Sequence, residues 1–353
     1  MKRILLIAST PLANDGLTQI EMDTIEFNQD VIQFEVACGF GFDNSYGKKL
    51  KDKDIICHIL PHKRIVFAYM FAIFKLVKQK KYDSVYIHGN SAMMFMEAIP
   101  SKLAGTKVIT HCHNTKSNYP LVHYMVKPVF NLAVDEKIGC SSWASKWAYC
   151  GKNIITIVNG VDIQKYKYNE NKRYEMREKL SWEKCKVIGH IGRFSKQKNH
   201  KKLIQIFNEI YKNDHKARLL LIGDGELRKE INEQIRSLGL SDVVCMIKET
   251  DCPQDYMQAM DIMVVPSLFE GLCLVAIEAQ ANGLPVLIDN NFTPETVASD
   301  LVEVIELSET NGKWADMVEE LIKLGRQDVT ELLLRKKMDK VDMMKRLQEV
   351  LLR

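Results

Sequence analysis

Short apolar runs of about six residues, each followed by a polar loop and usually by an amphipathic stretch, recur along the chain and predict parallel strands crossed by helices. In the first half the runs are 3–9, 31–39, 54–60, 84–88, 107–113, 136–141 and 154–158; in the second they are 186–191, 218–222, 243–247, 261–266, 284–289 and 302–307. Helical stretches are predicted at 19–27, 64–81, 142–149, 200–212, 226–238, 274–281, 313–324 and 328–352. The polar segment 164–183 separates the two sets and reads as a linker with a connecting helix. Segment 64–81, RIVFAYMFAIFKLVKQKK, is apolar around nearly its whole circumference. It is expected as a core helix with lysines at its C-terminal end, the other reading being an interfacial helix on a membrane.

The densest unit is 261–291, DIMVVPSLFEGLCLVAIEAQANGLPVLIDNN. A buried strand ends at Pro266, a helix over 274–281 stops at Asn282-Gly283, and a second strand follows. In such a strand-turn-helix-strand unit the first loop faces the crevice where open α/β sheets bind ligands, so Glu270 is expected at its mouth. Gly271 and Leu272, with Cys273 after them, stand at the helix start, where backbone N–H groups and the helix dipole favour an anion such as a diphosphate. Glu278, eight residues on from Glu270, lies at most about 12 Å away along a helix. Two acids so spaced can hold hydroxyls on either side of the anion; the other reading is a solvated helix face.

Composition narrows the class. A chain of 353 residues suits two α/β domains. The longest apolar run, 65–74, is about half of what a bilayer crossing needs, and the N-terminal MKRILLIAST reads as a first strand rather than a secretory signal. Nine scattered cysteines without a C-x-x-C pair argue for reduced thiols in cytosol. Residues 1–180 carry 25 Lys and Arg against 17 Asp and Glu, and the remainder carries 24 against 28. A basic first half suits an acidic acceptor or anionic lipid headgroups, with ordinary surface solubility as the alternative. No feature points to nucleic acid.

Further motifs lie at strand ends, where sites in parallel sheets gather. Gly192-Arg193-Phe194 is followed by Lys198 just before a helix, a combination of flexible glycine, guanidinium and ammonium that suits a phosphate clamp. Gly223-Asp224-Gly225 makes a tight strand-to-helix turn, and Gly16 lies in the loop 10–18 after the first strand. His88-Gly89-Asn90 and His111-Cys112-His113-Asn114 end two strands of the first half. Structural histidines are one reading of these; a zinc site needs further ligands that no spacing supplies. Asn159-Gly160-Val161-Asp162 forms a turn at the expected domain junction.

Taken in order, H-x-H-N, N-G-V-D, G-R-x(4)-K, G-D-G and E-G-L-x(5)-E before A-x-A-x-G-x-P resemble the retaining glycosyltransferases of family GT4, including capsule and exopolysaccharide enzymes. The resemblance implies an α/β GT-B fold, with two Rossmann-like domains facing each other across a cleft. The expected domains are 1–165 on the acceptor side, 166–335 on the nucleotide-sugar side, and a C-terminal helix, 336–353, returning to the first. It also implies roles: Arg193 and Lys198 on the donor diphosphate, Glu270 on the transferred sugar, Glu278 on the ribose, and His113, with His111 second to it, near the sugar. Gly16, Gly192, Gly223, Gly271, Leu272 and Cys273 would line the donor site. Similar enzymes need no bound metal or other cofactor. The implied reaction moves a hexose from a nucleotide-sugar, most commonly a UDP-sugar, to a polysaccharide or lipid-linked saccharide, in the cytoplasm or at the inner membrane face. A UDP-sugar 2-epimerase and a non-catalytic nucleotide-sugar-binding partner are the alternatives.

Overall fold

A computed structural model describes residues 1–10, 12, 16–41, 44–117, 119–248 and 250–353. The chain divides into two compact units, Met1–Asn159 with Val341–Arg353, and Gly160–Lys340. Each unit is built on one parallel sheet crossed by helices, the arrangement that the alternation of runs predicts.

In the first unit the strands are β1 (Lys2–Ala8), β2 (Ile32–Cys38), β3 (Ile56–Ile59), β4 (Ser84–Gly89), β5 (Lys107–Cys112), β6 (Glu136–Gly139) and β7 (Ile154–Thr156). They lie in the order β3-β2-β1-β4-β5-β6-β7. The direction of winding reverses between β1 and β4, so that the crevice at the sheet's C-terminal edge opens there. Leu5, Ile7, Val85, Ile87 and Val108 fill the layer between this sheet and its helices. Two helices not expected from the sequence, Phe95–Leu103 and Pro120–Ala133, cover that layer beside Val66–Lys80. The last of these is not the core helix expected. Tyr69, Ile73 and Val77 form its buried stripe, spaced four apart, while Phe67 is 89% and Phe71 67% exposed. The helix Pro120–Ala133 likewise turns Leu121, Met125 and Leu132 to solvent.

The second unit contains β8 (Lys186–Ile191), β9 (Ala217–Ile222), β10 (Val244–Ile247), β11 (Ile262–Val265), β12 (Val286–Asp289) and β13 (Val302–Ile305). Their order is β10-β9-β8-β11-β12-β13, which puts the reversal between β8 and β11. At the foot of β11, Asp261 accepts from both Arg173 and Arg177 of the helix Glu170–Leu180 and from the Val187 amide, fixing β11 beside β8.

The single helix expected over 328–352 is two, Thr330–Arg335 and Lys340–Leu352. Between them Lys337 adopts positive φ, and Val161 pairs with Asp339 in a lone bridge whose amides bond Met338 and Val161 carbonyls. Gly160 is required at this crossing, because a Cβ there would lie 2.3 Å from the Asp339 carbonyl oxygen. The final helix packs into the first unit through Met343, Met344, Leu347 and Val350, with Arg346 donating to the Thr156 carbonyl at 2.7 Å. No helix among the described residues is long and apolar enough to cross a membrane.

Candidate functional site

Eight of the predicted positions, Gly192, Lys198, Gly223, Glu270, Gly271, Leu272, Cys273 and Glu278, lie on the loops and helix at the reversal point of the second sheet. Strand β8 delivers Gly192 into a loop whose Phe194 is fully buried and whose Phe194 amide donates to the Asp224 carbonyl. Gly223, at φ +143°, lets the turn after β9 lie directly on this loop: a Cβ there would fall 2.2 Å from the Gly192 carbonyl oxygen. A short turn, Lys196–Lys198, ends at Asn199, whose positive φ starts the helix His200–Asn213 and whose side chain donates to the Pro266 carbonyl. The loop after β11 is tied to the same turn, since the Leu268 amide donates to Gln197 and the Gln197 side chain donates to the Phe269 carbonyl at 2.9 Å.

These ties place the Lys198 ammonium 2.7 Å from the Glu270 carboxylate. Burial alone would lower the lysine's pKa, but the adjoining Glu270 charge raises it above the ordinary value, so it is charged at any physiological pH. Gly271, Leu272 and Cys273 are buried and lead straight into the helix Leu274–Ala281, which has the bounds expected from sequence. Burial pushes the Cys273 thiol up to about 12, which makes it an inert apolar filler rather than a nucleophile.

Glu278 stands one turn along that helix. Burial raises its carboxyl to about 7, opposed by a hydrogen bond from the Tyr166 hydroxyl and by the charges of Lys165 and Lys198. Behind the loop, His190 bonds the Val264 carbonyl at 2.8 Å and is held neutral by burial, down to about 4; no sequence signal singled it out.

Arg193 is placed differently. Its guanidinium is 70% exposed and pairs with Glu226 at 3.2 Å, rather than joining Lys198 against Glu270. The side-chain partner of a loop arginine is set by the neighbouring turn after β9, which motif spacing does not report. Gly16 is exposed at the first position of the helix Gly16–Asn28; the loop before it lies partly outside the described residues, at 11 and 13–15.

In the first unit, His111 is fully buried at the end of β5 and His113, just beyond it, is part-buried. His113 Nε2 lies 3.1 Å from His88 Nδ1, and its Nδ1 lies 3.3 Å from the Asn159 amide nitrogen. A D-x-D spacing, the pair that metal-using transferases employ, occurs at Asp52 and Asp54. Asp52 ends the helix Asn44–Asp52 and Asp54 lies in the turn before β3, at the N-terminal edge of the sheet and away from the strand ends that gather these histidines.

Residues 172–340 match the family described as glycosyl transferases group 1. EpsF of Bacillus subtilis (strain 168), which bears a glycosyltransferase name, is 28% identical over 69% of this chain and 67% of its own length. The Escherichia coli UDP-Gal:alpha-D-GlcNAc-diphosphoundecaprenol alpha-1,3-galactosyltransferase is 27% identical over 63% of this chain and 61% of its own length. Among solved structures, Anabaena Alr3699/HepE in complex with UDP superposes with a TM-score of 0.83 at 19% identity over 99% of both chains, a likeness of fold. The two Rossmann-like units are those of GT-B proteins, and the second of them carries, over residues 172–340, the sequence of the group 1 glycosyltransferase family.

Proposed function

We propose that the second unit binds the diphosphate of a nucleotide-sugar, a UDP-sugar, and that the chain transfers its hexose with retention to a hydroxyl of a polysaccharide or lipid-linked saccharide. The observation that carries this reading is the part-buried Lys198–Glu270 pair at the reversal point between β8 and β11, beside the N-terminus of the helix Leu274–Ala281. As the bond from anomeric carbon to diphosphate breaks, negative charge builds on the leaving phosphate. Lys198 and the first-turn amides of that helix neutralise it without having to reorganise, and Arg193 exchanges its exposed partner Glu226 for the phosphate. Glu270 takes hydroxyls of the sugar and Glu278 those of the ribose. In this scheme fixed positive side chains fill the role of a divalent cation, so chelators leave the rate unchanged. Support for the donor and acceptor classes comes from the relatives: the Escherichia coli galactosyltransferase is named for a UDP-sugar donor and a lipid diphosphate acceptor, and Alr3699/HepE was solved in complex with UDP.

A membrane contact belongs to the same reading. Phe67, Phe71, Leu121, Met125 and Leu132 are exposed on two helices that flank Phe95–Leu103 in the first unit, with Lys75 and Lys78 also exposed. Apolar side chains next to lysines suit an anionic lipid surface, where a lipid-linked acceptor would be met. Co-sedimentation with vesicles containing anionic lipid, lost with Phe67→Ser and Phe71→Ser together, checks it; equal binding to neutral vesicles counts against it.

The function itself is tested by supplying a panel of nucleotide-sugars with and without lipid-linked acceptors, following nucleotide release and sugar identity. Acceptor-dependent release of UDP is expected. An altered sugar formed without acceptor would replace the transferase by an epimerase, and binding without turnover would leave only a binding partner.

A further inference from the structure

The family resemblance sets His113, with His111 second to it, near the sugar, but the grouping of these two with His88 is used neither there nor in the proposed transfer. Strands β4 and β5 run side by side with His88 opposite His111. His113 follows His111 by two residues, so it projects from the same face of the sheet. The register therefore gathers three imidazoles at one corner of the strand ends, with one nitrogen of each lying within 4.8 Å of the others.

Their hydrogen bonding is incomplete in a particular way. His111 Nδ1 is bonded to the Tyr86 hydroxyl at 2.9 Å, but its Nε2 is buried with no hydrogen-bond partner. Asn159 lies against His113 Nδ1 at 3.3 Å while its own Oδ1 has no hydrogen-bond partner. Turning that amide end for end gives the partnerless Oδ1 a donor, since it then accepts from His113 Nδ1–H. His111 and His113 then each have Nδ1 anchored by an oxygen and Nε2 directed toward the other imidazoles, the outer-shell pattern of metal-bound imidazoles. The 3.1 Å between His113 Nε2 and His88 Nδ1 is close to the separation of roughly 3.3 Å between two nitrogens on a tetrahedral ion at 2.0–2.1 Å.

We propose that His88 Nδ1, His111 Nε2 and His113 Nε2 form a three-imidazole site for a zinc-class divalent ion, with the fourth position open to water. The surroundings favour it: His88 and His111 are fully buried and His113 is part-buried, so the three nitrogens face one another in a site largely closed to solvent. Three neutral nitrogens with no carboxylate among them select zinc, cobalt or nickel over magnesium or calcium. The site stands apart from the transferase reading, because it is read by binding and not by turnover.

Cobalt(II) chloride titrated into chelator-treated full-length protein tests it. One equivalent per chain is expected to give the intense visible bands of a four-coordinate centre, displaced by zinc(II). His88→Gln and His111→Gln should each weaken binding by about 100-fold or more, and Asn159→Ala by about 10-fold or more, the range for outer-shell partners. His190→Gln, an equally buried imidazole in the other unit, should leave the bands unchanged. Circular dichroism establishes that each variant is folded, and Asn159→Ala serves if a histidine variant is not. Failure to reach one equivalent, bands that persist in the His88 and His111 variants, or a thiolate charge-transfer band from the cysteines would overturn the assignment.

Discussion

Each unit contains a lysine–glutamate pair taken out of water, and the two pairs differ in what else surrounds them. In the first, Lys63 lies 2.6 Å from Glu97, and the side chains are 10% and 0% exposed. Lys63 also donates to Ser9 Oγ and to the Ser9 carbonyl, and the Tyr69 hydroxyl donates to Glu97 at 2.8 Å. Every one of those partners belongs to the scaffold, so the pair ties the start of one helix and the body of another to the end of β1. In the second unit, Lys198 and Glu270 are 18% and 9% exposed, and around them stand Gly192, the Gln197 amide and a helix N-terminus. These are groups that serve an incoming anion rather than close the pair off. Burial of an ion pair is therefore not by itself a mark of function; what brackets it decides.

The sharpest way to break this contrast is to remove each lysine in turn. Lys63→Ala leaves Glu97 charged and uncompensated in the interior, which should cost about 3–5 kcal/mol of stability, measured by denaturant unfolding, with little change in turnover per folded molecule. Lys198→Ala should lower turnover by roughly 10²–10³-fold, measured as UDP release with acceptor at saturating donor. If the two variants exchange their effects, the second pair is scaffold and the first deserves the functional role.

Arg193→Ala sharpens the same point with a group that is neither buried nor tightly held. Its exposed pair with Glu226 contributes at most about 1 kcal/mol. The melting temperature should hardly move while turnover falls about 100-fold, because the guanidinium acts only when charge develops on the phosphate. An unaltered rate would remove it from the clamp.

Glu278 supplies a smaller, pH-dependent effect. Its carboxyl is raised to about 7, so the protonated form gains weight as pH falls below that value. An ionised carboxylate accepts ribose hydroxyls more strongly than a neutral one. Nucleotide affinity should therefore weaken by up to about tenfold per pH unit below 7 and level off above it. Calorimetric titration across pH 5–8 should show this in the natural protein and a flat profile in Glu278→Gln.

Much of this was legible in the sequence. The strands were, because buried parallel strands are written as short apolar runs, and the helix Leu274–Ala281 had its stop in Asn282-Gly283. The helices Phe95–Leu103 and Pro120–Ala133 were not, because each carries an internal proline, Pro100 and Pro128, that masks its periodicity. The break at 336–339 was hidden for another reason: it is imposed by Val161, far away in sequence. At the candidate site, spacing identified the loops that meet but not the partner that Arg193 takes. The Lys63–Glu97 pair and the grouping of His88 with His111 and His113 depend on helix packing and strand register, which a linear pattern does not contain.

The central claim is that the second unit alone supplies the diphosphate site. Hydrogen exchange of the full-length protein with and without UDP tests it most directly. Slowed exchange confined to amides of residues 192–198, 223–228 and 270–278, and lost in Lys198→Ala, is the predicted result. Protection that appears only within residues 1–159, or that survives unchanged in Lys198→Ala, would contradict it.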